Sequence, residues 1–175
     1  MAGRRTPSKL DETGLWDYAL RLLARRAYSS GELKQKLAAR AARYSDVDAT
    51  MNKLGEYGFA DDKKFSEAFA GSRLQNRGFG RFRVLNELRS KRVAPTTAAE
   101  AVEKIFDGTD ELQLIQNFLA RKYRGKDLTQ FLQQEKNLAS AYRRLRTAGF
   151  SSTGSITVLK RYSRKADEWD ETTEN

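Results

Sequence analysis

The sequence predicts an all-α fold built from three tandem three-helix repeats that form an elongated, curved array. Apolar residues recur at three- and four-residue spacing through most of the chain, and strand-type alternation is nearly absent. Helix caps and glycine stops punctuate that pattern. The chain also aligns with itself at long offsets without gaps.

Leu15, Tyr18, Ala19, Leu22 and Leu23 lie on one face of a first amphipathic helix. Ser29-Ser30-Gly31-Glu32 reads as a capping box opening a second helix, carried by Leu33 and Leu37. Ser45 or Asp46 caps a third, with Val47, Met51 and Leu54 inward and Gly58 as its left-handed stop. Asp61-Asp62 opens a fourth helix through Phe65, Ala68, Phe69 and Leu74, ending near Gly78. Phe82, Leu85 and Leu88 mark the fifth. Pro95, at a first-turn position, and Thr96-Thr97 start the sixth, with Val102 and Ile105 facing in. Thr109-Asp110 caps a seventh that ends at Tyr123 before Gly125. A long eighth is expected from Leu128 to Ala148, stopped by Gly149, and a ninth from about Ser155 to Tyr162.

At an offset of 51, Tyr18 falls on Phe69, Leu23 on Leu74, Leu37 on Leu88 and Leu54 on Ile105. At an offset of 57, Leu85 falls on Tyr142, Leu88 on Leu145 and Val102 on Leu159. The opening helix of the third unit sits at an offset of 45, so twelve residues are inserted between helices seven and eight. These registers divide the chain into a flexible N-terminus (1–14), repeats over 15–60, 61–107 and 108–165, and an acidic flexible tail (166–175).

Composition excludes much chemistry. The 175 residues contain no Cys and no His, so disulfides, thiolate zinc sites, cysteine nucleophiles and imidazole bases are ruled out. The N-terminal residues lack the apolar h-region of a signal peptide, and no stretch approaches the ~18 apolar residues of a membrane span. The expectation is a soluble, cytoplasmic, basic protein, monomeric and without a cofactor.

Lys and Arg number 33 against 23 Asp and Glu, a formal charge of +10, and the distribution is uneven. Arg73 to Arg92 holds seven basic residues against one acid, Glu87, and Lys136 to Lys165 holds eight against none. Asp167, Glu168, Asp170, Glu171 and Glu174 make the tail acidic. Dispersed Arg and Lys favour phosphate contact over base reading, and nucleic acid is the polyanion such blocks attract.

Asp61-Asp62 admits two readings, a Mg²⁺ site or a helix N-terminus, and the second explains the pair more cheaply. Gly78-Phe79-Gly80, with Arg77, Arg81 and Arg83 around it, is either a plain interhelical turn or a loop whose N–H groups hold a backbone phosphate. It lacks the P-loop spacing. Helical spacing assigns Phe82 and Tyr142 to the core, which leaves Phe79 as the candidate for stacking on a base.

Several strings, in this order and spacing, resemble the bacterial regulatory protein family RecX from about Trp16 to Tyr162. They are Leu23-Ala24-Arg25-Arg26 with Ser30-Gly31-Glu32-Leu33 and Lys36-Leu37, then Gly58-Phe59-Ala60-Asp61-Asp62 with Lys64-Phe65. Arg77-Gly78-Phe79-Gly80 with Glu87-Leu88, and Gly149-Phe150 with Ile156, complete the set. Lys64 stands where the family has Arg, Arg92 where it has Gly, and Gly154 falls within the ninth helix.

The resemblance implies three three-helix repeats without enzymatic activity. It implies binding to the RecA recombinase, above all to its filament on single-stranded DNA. Such binding would inhibit filament growth, ATPase, strand exchange and coprotease activity. Double-stranded DNA is a further expected partner. The expected contact residues are Arg25 and Arg26, then Arg73, Arg77, Arg81 and Arg83, then Arg121, Lys122, Arg143 and Arg144. They would bridge phosphates and an acidic recombinase surface. The competing expectation is a general, non-sequence-specific DNA-binding protein built from helix-turn-helix-like repeats.

Overall fold

Capping and apolar spacing translate directly into helices. A computed structural model of the chain describes residues 9–163 and Ala166. The helices are α1 (Glu12–Leu23), α2 (Ser30–Arg40), α3 (Tyr44–Glu56), α4 (Asp62–Ser72), α5 (Arg81–Ser90), α6 (Pro95–Phe106), α7 (Glu111–Lys122), α8 (Leu128–Phe131), α9 (Glu135–Thr147) and α10 (Ser152–Lys160). A π-helical turn, Arg73–Arg77, prolongs α4. Among the described residues there is no strand, and the one β-bridge ties Leu10 to Ala41. No described helix is long and apolar enough to cross a membrane.

The described chain forms two compact units. Of the described residues, one takes in those that fall within Met1–Ala68 and Leu88–Ala101, the other those within Phe69–Glu87 and Val102–Asn175. The first unit packs α1, α2 and α3 together around Leu15, Ala19, Leu33, Leu37, Val47 and Leu54, all fully buried. The second has its core among α7, α9 and α10, where Ile115, Leu119, Leu138, Leu145, Phe150 and Leu159 are sealed from solvent. At roughly 1.5–3 kcal/mol per buried aliphatic side chain, each cluster is a substantial driving force for its own unit.

Several expectations are met in detail. Ser29 Oγ accepts from Glu32 N at 3.1 Å and caps α2. Asp110 accepts from Gln113 N at 3.1 Å and caps α7. Gly58, Gly125 and Gly149 all take positive φ as helix stops. Arg92 also sits in the left-handed region, at φ 62°, in the position where glycine was expected.

Other expectations are corrected. α1 starts at Glu12, inside the segment assigned to a flexible N-terminus, because Asp11 caps it by accepting from Gly14 N at 2.9 Å. The rest of that segment and the acidic tail lie outside the described residues, Ala166 excepted. The capping box at α2 is only half made, since the Glu32 carboxylate turns instead to Arg26 (3.2 Å) and Lys91 (3.4 Å). α3 begins at Tyr44 without a side-chain cap, and Asp46 is buried in its first turn beside Arg43.

The long eighth helix is two. α8 stops after Phe131, and α9 restarts at Glu135. No Gly or Pro marks that break. Packing imposes it: Leu132 is drawn fully into the second unit's core, and Phe131 meets the Tyr123 ring at 5.1 Å. Asn137 Nδ2 then donates to the freed Phe131 carbonyl at 3.0 Å, and Gln133 Nε2 to Tyr162 O at 2.9 Å.

Phe82, expected in the core, is 51% exposed. The buried face of α5 is instead set by Val84 and Leu88, which lie four residues apart and exclude Phe82 from it. Gly154 does not interrupt the last helix. It lies in the first turn of α10, where a side chain would strike the Glu111 carboxylate.

Candidate nucleic-acid interface

The site is built around the exit from α4. The π-helical turn ends at Gly78, which takes φ 58° and donates to Leu74 O at 3.0 Å. Gly80 then runs against the end of α9, donating to Ala148 O at 2.9 Å, while Phe82 N donates to Gly149 O at 3.1 Å. A Cβ on Gly80 would collide with the Gly149 backbone, and one on Gly149 with Arg83. Two glycines thus let two main chains touch. Phe79 N also has a partner, Arg73 O at 3.4 Å, so the loop's N–H groups serve the fold. The reading of this loop as a phosphate cradle is therefore corrected.

What the junction does is place side chains. Phe79, Arg83, Phe118, Lys122, Ser140, Arg143, Arg144, Thr147 and Ala148 line a cleft of about 470 Å³ within the second unit. The Arg83 guanidinium lies 3.8 Å over the Phe79 ring, while its Nε donates to Glu87 at 2.9 Å. Glu87 also accepts from Arg73 Nε at 2.6 Å, so one carboxylate ties down two guanidinium groups. Burial raises the Glu87 pKa, but the hydrogen bonds and charges of Arg83 and Arg73 outweigh it and hold the carboxyl below its usual range. Lys122, Arg143 and Arg144 have no carboxylate partner among the described residues. At the cleft's edge, burial pushes the Tyr123 phenol up against the opposing charge of Arg144.

Of the residues expected from the sequence, Arg83, Lys122, Arg143 and Arg144 are brought together here. Arg121 donates to Arg77 O, which fixes those two beside each other. Arg73 is committed to Glu87 and lies 4.5 Å over Phe69. Arg81 turns elsewhere, to Phe106 O at 3.5 Å. In the first unit, Arg26 is paired with Glu32 and stacked 3.6 Å over Tyr28. Arg25 instead joins Arg21 and Arg40 at a separate cleft.

Sequence reasoning missed Phe118, which stands one turn from Lys122 on α7, as well as Arg21 and Arg40. The i,i+4 spacing of Phe118 to Lys122 and of Arg21 to Arg25 was the available signal.

Asp61 and Asp62 divide the capping work. Asp61 accepts from Lys64 N at 2.9 Å at the start of its own helix, and that bond chiefly lowers its pKa. Asp62 accepts from Ser30 N at 2.7 Å and so caps α2. Both carboxylates act as caps, which removes the reason to read them as a cation site.

Comparison with known proteins decides the family. Models of the first and second three-helix domains of RecX match residues 16–54 and 61–102. The regulatory protein RecX of Chromohalobacter salexigens is 36% identical over 126 residues, covering 71% of this chain and 81% of the relative. The chain belongs to the RecX family. RecX of Mannheimia succiniciproducens is 32% identical over 139 residues, 77% of this chain and 85% of that one. A crystal structure of RecX from Lactobacillus salivarius shares the fold, with a TM-score of 0.65 at 18% identity over 87% of this chain and 96% of the other. These RecX relatives are named regulatory proteins, and tandem three-helix domains are the family's architecture.

Proposed function

We propose that this chain binds the RecA recombinase and its filament on single-stranded DNA. By doing so it restrains filament growth, ATPase, strand exchange and coprotease activity. It works in the cytoplasm by adhesion, with no reaction of its own. The observation that carries this reading is the cleft of the second unit, in a chain of a regulatory family. There Lys122, Arg143 and Arg144, without a carboxylate partner among the described residues, stand beside Phe79 and Phe118. Such cations hold phosphates or acidic side chains, and the two rings offer stacking surface to an unpaired base.

The test is RecA ATPase on single-stranded DNA with increasing amounts of this protein. The wild-type chain should inhibit, and Arg143→Glu/Arg144→Glu should require at least ~10-fold more protein, about 1.4 kcal/mol of lost binding. Helix content, read by circular dichroism, should not change, because both side chains are exposed. Direct, salt-steep DNA binding with no effect on the recombinase would favour the general DNA-binding reading instead.

A further inference from the structure

The first unit carries a second basic cleft, of about 270 Å³, lined by Tyr18, Arg21, Leu22, Arg25 and Arg40. Arg21 lies in the last turn of α1 and Arg25 two residues past its end, and Arg40 reaches the same cleft from the end of α2. None of the three has a carboxylate partner among the described residues, although the neighbouring Arg26 and Lys34 both do. Arg40 lies 5.3 Å over the Tyr18 ring, and its Nε is sealed from solvent with no hydrogen-bond acceptor among the described residues. A buried N–H left without an acceptor is costly, and here it belongs to a guanidinium held in place by an aromatic face.

From this geometry we infer a subsite for the phosphate of a nucleic-acid strand, with Arg21, Arg25 and Arg40 as its donors. Guanidinium forks match phosphate oxygens, and one phosphate can take forks from more than one side. A carboxylate is satisfied by a single fork, so it would leave part of the cluster unmatched. At about 30 Å³ per water, the cavity holds roughly nine waters, room for one phosphate and its sugar. Tyr18 and Leu22 give that sugar an apolar wall. The subsite lies outside the second unit's cleft and does not depend on the recombinase reading. A chain with two such grips gains from effective concentration on one strand.

The experiment is fluorescence anisotropy of the full chain on a labelled oligo(dT) of thirty nucleotides, across a NaCl series without recombinase. Arg21→Gln/Arg25→Gln/Arg40→Gln should lower affinity at least ~10-fold and flatten log K against log salt by about 0.7 for each phosphate no longer neutralised. Arg89→Gln/Arg124→Gln/Arg161→Gln removes the same charge from exposed positions elsewhere. If this control loses as much, only bulk charge matters and the subsite is refuted. Because Arg40 is partly buried, Arg21→Gln/Arg25→Gln is measured as well, and an unchanged slope in that pair also refutes it. Polyglutamate is the last probe. If it binds wild type more tightly than oligo(dT) does, and loses that affinity in the triple variant while oligo(dT) loses none, the cleft takes carboxylates and the phosphate assignment fails. The reverse outcome, a slope loss confined to the cleft variants and absent from the control, supports the subsite, and because no recombinase is present it does not bear on the regulatory reading.

Discussion

Glu87 shows how one residue sets the charge a surface presents. It holds Arg73 and Arg83 together, at 2.6 and 2.9 Å, with all three side chains partly exposed. Its folded pKa is lowered, so its contribution is present above the unfolded carboxylate value and is lost as pH falls through the folded one. Glu87→Gln should therefore cost about 1 kcal/mol at neutral pH, discounted for solvent screening, and the difference should fade in acid. Urea unfolding at pH 7 and again below pH 4 reads both halves of that expectation. A variant whose deficit is equal at both pH values would show that shape, not charge, holds the pair. The block from Arg73 to Arg92 was readable as basic, but its single acid was not readable as the clasp of two arginines. That pairing brings residues fourteen apart together across a π-helical turn, which spacing alone does not foretell. The carboxylate pair at Asp61 and Asp62 was readable as capping, although not that Asp62 serves α2.

Among elements, the contact between the start of α5 and the end of α9 is the most demanding. Gly149→Ala places a methyl group on the Arg83 backbone and asks alanine to adopt φ 90°. A loss of roughly 3 kcal/mol or more is expected from clash and strain together, measured as a fall in the thermal midpoint. Gly125→Ala, in open space at φ 79°, is the comparison and should cost only about 1 kcal/mol. Similar losses in both would show that the close approach contributes nothing beyond backbone strain. Helix order and most caps could be read from the sequence because periodicity and capping are local. The break between α8 and α9 could not, because the burial of Leu132 decides it and no breaker residue announces it. Phe82 was misplaced for a related reason: helical spacing fits two faces of α5, and only tertiary packing chooses Val84 with Leu88.

For the whole molecule, the formal charge of +10 contains an acidic tail of five carboxylates without a counter-charge. Ending the chain after Ala166 raises the formal charge to +15, which should strengthen association with single-stranded DNA several-fold at low salt. The gain should vanish above about 0.5 M salt, where the Debye length falls to a few ångströms. Anisotropy titrations of both chains at two salt concentrations decide it, and equal affinities at low salt would show that the tail's charge is immaterial. Overall basicity was plain in the sequence, whereas the gathering of cations into two clefts was not. Arg21 and Arg40 stand on different helices, nineteen positions apart, and meet only once α1 and α2 have packed.

The π-helical turn at Arg73–Arg77 carries a consequence for how this chain tolerates change in length. A π turn holds about one residue more than an α turn over the same rise, so it acts as an angular spacer. Removing Gln75 would let the segment relax to ordinary winding while the residues after it keep about the same direction around the helix axis. Gly80 would then still meet its opposite number, and Phe79 would still face the basic cleft. One codon deleted here should thus be tolerated far better than one deleted from the regular winding of α4, where the loss turns everything after it by about 100°.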